Sequence, residues 1–339
     1  MKIWIDFINA PQVSFFERLV PRLKKEGYEF VFTCRDSSNT VDLLKLKGWD
    51  SIIVTGYTGK NKLLKHILFP LRLIRLIKFI KKQEIDIAIG QSSFYLPVVS
   101  RFLGISSIYT NDNEHARGNW LGFIFASVVF LPEGLRSYMK KKSWFEHKII
   151  YYPGIKEGIY LNKVVVNGSK RVKKRIFYRP EPITAQYYRG PLYKLDDLLI
   201  ELTEKCEVVI LPRGGEQLEH YKESRFNNCQ VLDKPIEFDD ICEQCDLFIG
   251  GGGSMTRELA LVGKKVISTY GGELLASDLF LIKKGLLLHI PDLKIDDVMS
   301  LVNKEIDDET SNRSREVLEL GRKAEDLIYK QICKISSND

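Results

Sequence analysis

No stretch of this 339-residue chain is apolar for long enough to cross a bilayer. The longest run without charge, Gly118 to Pro132, falls short of the ~20 residues a transmembrane helix needs, and reads as a buried helix and strand. Six cysteines without a secretory leader leave no disulfide framework, so the expected compartment is a reducing cytoplasm, peripheral to the inner face of the cell membrane at most. Cys242-Glu-Gln-Cys245 lacks a second Cys or His pair at zinc spacing, and no strand leads into it as a thioredoxin motif requires. It reads as structural. A dinucleotide fingerprint is also missing, since it would need glycine where Met255 or Thr256 stands. Gly59-Lys60 and Gly263-Lys264 lack the upstream glycine and following Ser or Thr of a P-loop. No Asp-x-Asp lies in a strand-end loop, so neither a metal nor a cofactor is expected. There is no internal repeat and no low-complexity tract.

What is present suits a folded protein of two domains: 44% apolar and 28% charged residues, with a net charge of +7. The central stretch is Asp246 to Thr269, DLFIGGGGSMTRELALVGKKVIST. A short apolar strand runs into four glycines and Ser254; Met255 to Val262 fit two helical turns, Gly263 stops them, and Lys265 to Thr269 form the next strand. Without a Cβ in the loop, a ligand reaches backbone N–H groups at a helix start, where the dipole favours a phosphate or pyrophosphate. Glu258, one turn in, is placed for a ribose diol. The plainer alternative is a tight turn that lets helix pack on strand.

The first half alternates strand and helix: Lys2 to Phe7, a helix from Ser14 to Glu26 kinked at Pro21, Glu29 to Thr33, a helix from Thr40 to Lys47, and Ser51 to Val54. Ile85 to Ile89 and Ser106 to Tyr109 follow, and Ser127 to Leu131 is expected to close the sheet. Such parallel sheets bind ligands beyond the carboxyl ends of their strands. Asn9, Pro11 and Gln12 fall there, as do Asp112, Glu114 and His115, a loop where a His and carboxylates tune each other for base work near neutral pH. From Lys60 to Lys82 leucines, isoleucines and phenylalanines interleave with Lys62, Lys65, Arg72, Arg75, Lys78, Lys81 and Lys82, with no acid between. A basic amphipathic helix of this kind suits an anionic membrane surface. A core helix with a basic outer face is the alternative; nucleic acid is not expected, because no aromatic platform interleaves the charges.

The domain crossing is expected near Pro153, giving one domain at 1–153, a second at 154–310 and a terminal helix at 311–339 that packs back across both. In the second domain Arg179 and Arg213 each follow a strand and would converge on one anion, with Glu273 at a further strand end beside a bound sugar.

Two such α/β domains resemble the GT-B glycosyltransferases and the non-hydrolysing UDP-GlcNAc 2-epimerases. The blocks IDFINAPQVSFF, NDNEHA, YRPEP followed by Tyr187-Tyr188, GGGSMTRE and LIKKGLL resemble the archaeal and bacterial family called domain of unknown function 354. The resemblance implies a GT-B-like fold of two Rossmann-like domains facing across a cleft. It also implies that Gly251, Gly252, Gly253 and Ser254 hold the nucleotide diphosphate and Glu258 the ribose, with Thr256 in the same block. That family commonly has His where Gln12 stands, so Asp112, Glu114 and His115 become the candidate bases. The function expected is metal-independent transfer from a nucleotide-diphosphate sugar to a glycan or lipid-linked acceptor. A 2-epimerase and a catalytically silent nucleotide-sugar-binding protein are the alternatives.

Overall fold

The computed structural model describes residues 1–36, 40–56, 62–116, 118–165, 171–181, 192–234 and 236–337. Tyr187, Tyr188 and Lys60 lie outside them. The chain divides into two compact units, Met1–Tyr160 with Leu320–Asp339, and Leu161–Glu319.

The first unit holds a seven-stranded sheet: β1 (Lys2–Phe7), β2 (Glu29–Asp36), β3 (Ser51–Gly56), β4 (Ile87–Gln91), β5 (Ser106–Thr110), β6 (Val128–Pro132) and β7 (Ile149–Tyr152), in the order β3-β2-β1-β4-β5-β6-β7. Every pairing is parallel. The central strands are apolar on both faces because helices cover both, as the buried runs of β1 and β4 show. The sheet ends at β7 rather than at the strand 128–132: a 3-10 segment, Lys140–Lys148, returns the chain beside β6. The helix expected from Ser14 to Glu26 is two, Pro11–Phe16 and Leu19–Lys25. Pro21 falls in the first turn of the second, where its missing N–H breaks no helical bond.

The second unit holds β8 (Arg175–Arg179), β9 (Glu207–Ile210), β10 (Gln230–Val231), β11 (Leu247–Gly250), β12 (Val266–Ser268) and β13 (Leu288–His289), in the order β10-β9-β8-β11-β12-β13. Counted from its own first strand, each sheet runs 3-2-1-4-5-6, with a seventh strand added at the end of the first sheet, and the order reverses between first and fourth. In such sheets that reversal opens a crevice at the carboxyl ends.

The boundary falls after Tyr160, not at Pro153, because the helix Glu157–Tyr160 packs on Pro11–Phe16. The helix Asp308–Ser336 is likewise shared between units by chain position, its residues from Leu320 onward belonging to the first. There Gly321 lies so close to Gly158 that a Cβ would meet its carbonyl, and Arg18 and Arg22 pair with Glu325 at 2.9 and 3.7 Å.

The acid-free helix spans Lys62–Ile80 and turns Leu76 and Ile80 into the core. Arg72 goes with them, which corrects its assignment to a basic outer face. Its guanidinium grips both carboxylate oxygens of Asp6, at 3.0 and 2.7 Å, and donates from Nε to Val54 O at 3.1 Å. The acid that balances this helix comes from β1. Leu71, Ile74, Arg75, Lys78, Lys81 and Lys82 remain exposed.

Candidate functional site

In the second unit β8 and β11 are neighbours on either side of the reversal, with Gly250 in register with Arg179 and Gly251 N donating to Arg179 O at 2.9 Å. The four glycines serve two ends. Gly252 and Gly253 have φ of 86° and 102°, a left-handed turn that a side chain would strain. Gly250 and Gly251 are required by space, since a Cβ on Gly251 would stand 2.6 Å from the backbone of Glu181, and one on Gly250 2.4 Å from Thr256 Oγ1. Thr256 is accordingly buried against the strand end. Its hydroxyl packs beside Gly250 and helps to shape the loop.

The helix Ser254–Leu261 begins on Gly253 with no side chain capping it, so its first N–H groups face outward from the turn. Arg213 lies across this loop, donating from Nε to Pro180 O at 2.7 Å and from Nη2 to Gly252 O at 2.6 Å, with its guanidinium over Gly253. Gln217 accepts from Arg213 N and donates to Glu181 O, which locks the loops after β8 and β9 together. The half-buried Arg179 guanidinium makes no hydrogen bond to a described residue. Burial pulls its pKa down, and the negative charge of Glu258 opposes that shift. The structure thus gathers Arg179, Arg213, Gly251, Gly252, Gly253, Ser254 and Glu258 at one strand-end crevice. Glu273 sits exposed on the loop whose Tyr270 ring packs on Gly252.

Glu181 was not singled out from the sequence. It is buried under the glycine loop, with Oε2 accepting from Tyr178 OH at 3.2 Å and Oε1 without a described partner. The available signal was a second charge directly after Arg179-Pro180. Cys242 and Cys245 are buried, and burial pushes both thiols up to about 12, which suits a structural role.

In the first unit the strand-end loops of β4 and β5 are tied by amides. Ser92, at φ 55°, accepts from Gln91 Nε2 and Asn111 Nδ2, both at 3.0 Å, and Asn111 and Asn119 exchange hydrogen bonds. This lattice delivers Asp112 into a buried ion pair: Lys156 Nζ is 2.9 Å from Oδ2 and Gln91 Nε2 donates to Oδ1 at 2.8 Å. Asp112 therefore ties its loop to Lys156 and to the end of β4. Glu114 is half-buried and His115 exposed, the backbone N–H of His115 donating to Asn113 Oδ1. Lys156, from the turn after β7, carried no sequence signal for this role.

Asn9 and Pro11 are exposed at the end of β1, while Gln12 is buried and folds back to accept from Ile8 N and Asn9 N. Its Nε2 has no described partner. Among the described residues, no cluster of His, Cys, Asp or Glu is placed to hold a metal ion, and no helix is long and apolar enough to cross a membrane.

Residues 1–337 match the family model "Protein of unknown function (DUF354)". The chain is 30% identical to "Uncharacterized protein MJ0665" of Methanocaldococcus jannaschii, over 98% of each. Among solved structures it resembles a putative UDP-N-acetylglucosamine 2-epimerase from Listeria monocytogenes, with a TM-score of 0.71 at 13% identity over 92% of this chain and 90% of that one. It also resembles the glycosyltransferase VinC in complex with dTDP, at 0.62 and 12% over the whole of both chains. Likeness at such identities shows the fold, which is GT-B-like.

Proposed function

We propose that this chain, which belongs to the DUF354 family, is a glycosyltransferase using a nucleotide-diphosphate sugar. The observation that carries the reading is the meeting of Arg179, Arg213 and an uncapped helix start around a glycine turn where the sheet order reverses. That is a seat for a diphosphate. Fold neighbours bound to UDP-GlcNAc and to dTDP are in keeping with it.

In this reading Gly251 to Ser254 bind the diphosphate, Glu258 the ribose, and Glu273 reaches the sugar. Asn9, Pro11 and Gln12 border the acceptor site, with Gln12 Nε2 the donor left for it. Glu114 or His115 takes the proton of an acceptor hydroxyl, whose oxygen attacks the anomeric carbon as its bond to the β-phosphate breaks. Arg179, Arg213 and the helix dipole receive the leaving charge without a metal. The acceptor is a glycan or lipid-linked sugar at an anionic membrane, approached by the exposed face of Lys62–Ile80.

Incubation with labelled UDP- and dTDP-sugars and a lipid extract, followed by product analysis, tests this. Label moving to an acceptor supports it. An isomerised sugar nucleotide without transfer would make the chain an epimerase, and binding without turnover would make it a silent nucleotide-sugar protein.

A further inference from the structure

At the amino ends of β6 and β7, away from the strand-end loops just described, the first unit contains a cavity of about 590 Å3. Arg101, His147, Lys148 and Lys334 line it, and no acidic residue does. None of the ion pairs among the described residues reaches these four. Lys148 donates to Ile124 O and Ala126 O at 2.8 and 3.1 Å, and its pKa is pulled down by burial and then by Arg101, so like charges crowd one space.

The surroundings are apolar and exposed. Ile124, on the lining, is 46% exposed; Trp120, one turn earlier on the same helix, 51%; Phe102, beside Arg101, 73%; and Trp144, four residues before Lys148, 85%. Trp120 is held edge-on against Phe145 at 5.7 Å, so its ring stands outward by packing rather than by chance.

We propose that this is a docking site for an acidic phospholipid bilayer, with the phosphate of one headgroup in the basic cavity and Phe102, Trp120 and Trp144 in the interfacial layer. Indole rings with one apolar body and one N–H favour that layer, and unanswered cations favour an anionic leaflet. A second copy of the chain is a worse occupant, because a two-fold interface would set the three cations, Arg101, Lys148 and Lys334, against themselves. The site is independent of the donor seat and of the outer face of Lys62–Ile80.

The test is flotation of the full chain with phosphatidylcholine vesicles, with and without phosphatidylglycerol, alongside calorimetry with UDP. The wild type binds the anionic vesicles. Arg101→Gln and Lys334→Gln, both at exposed positions, each lower partitioning about fivefold. Phe102→Ala with Trp144→Ala lowers it further and reduces tryptophan quenching by brominated lipid, and all variants keep wild-type UDP affinity. Absence of vesicle binding would overturn the site, as would binding lost only with Arg75→Gln and Lys78→Gln on the helix Lys62–Ile80. So would a dimer that these substitutions dissociate, or retention on single-stranded RNA in place of vesicles. Loss of UDP binding in the wild type would count against the donor seat alone.

Discussion

At the order reversal of the first sheet, between β1 and β4, Asp6 and Arg72 neutralise each other in full burial, with Thr33 and Ser93 donating to the same carboxylate. At the equivalent point of the second sheet, between β8 and β11, the corresponding space holds a glycine turn, a guanidinium from Arg179 without a described hydrogen bond, and Arg213 laid across the loop. One topology therefore yields two outcomes. Where an internal acid grips the arginine in a buried pair, the reversal is core; where the arginine has only the charge of Glu258 nearby, the reversal carries the glycine turn proposed above as an anion seat. In the first unit the function proposed above assigns the chemistry instead to the loop after β5, itself anchored by a second internal pair, Asp112 with Lys156.

The comparison is broken most severely at Arg72. Arg72→Met leaves Asp6 charged and buried, and should cost the first unit about 3–5 kcal/mol, whereas pairing it with Asp6→Leu should restore most of that. All four tryptophans lie between Met1 and Tyr160, so their fluorescence during urea unfolding reports this unit alone. Equal stability of single variant and wild type would mean that the pair is not what fills the reversal.

A smaller effect separates the two units by task. Glu114→Gln or His115→Ala should lower sugar transfer by ~100-fold with donor affinity unchanged. Steady-state rates set beside calorimetry check this, and a collapse of donor binding would put the β5 loop in the nucleotide site. Smaller again, Gly252→Ala forces a side chain into the left-handed turn at a cost of roughly 1–2 kcal/mol. It should weaken the donor by a comparable amount, read from the UDP dissociation constant, and leave the first unit's unfolding curve in place.

Much of the geometry around the second unit's glycine turn was legible in the sequence because it is local. A strand, a glycine run and a helix start follow one another directly, and Arg179 and Arg213 each come just after a strand. What stayed hidden depends on partners distant in the chain. Arg72 looked like one more surface cation because its acid stands 66 positions earlier. The pairing of Asp112 was hidden because nothing near it in the sequence announces Lys156. Thr256 sat in the right motif, but helix geometry turns its hydroxyl toward Gly250, and Glu181 was masked by the arginine beside it. The boundary after Tyr160 was missed for the same reason, since turn-forming residues after β7 gave no sign that they pack on the helix Pro11–Phe16.

The most direct test of the central claim is calorimetric titration of UDP and dTDP into the wild type, Arg179→Met and Glu258→Ala. If the second reversal is an open anion seat, a nucleoside diphosphate binds, and each substitution weakens it by about 1.5–3 kcal/mol, the scale of a charged hydrogen bond. Unchanged affinity in both variants, or no binding of either nucleotide to the wild type, would contradict the account.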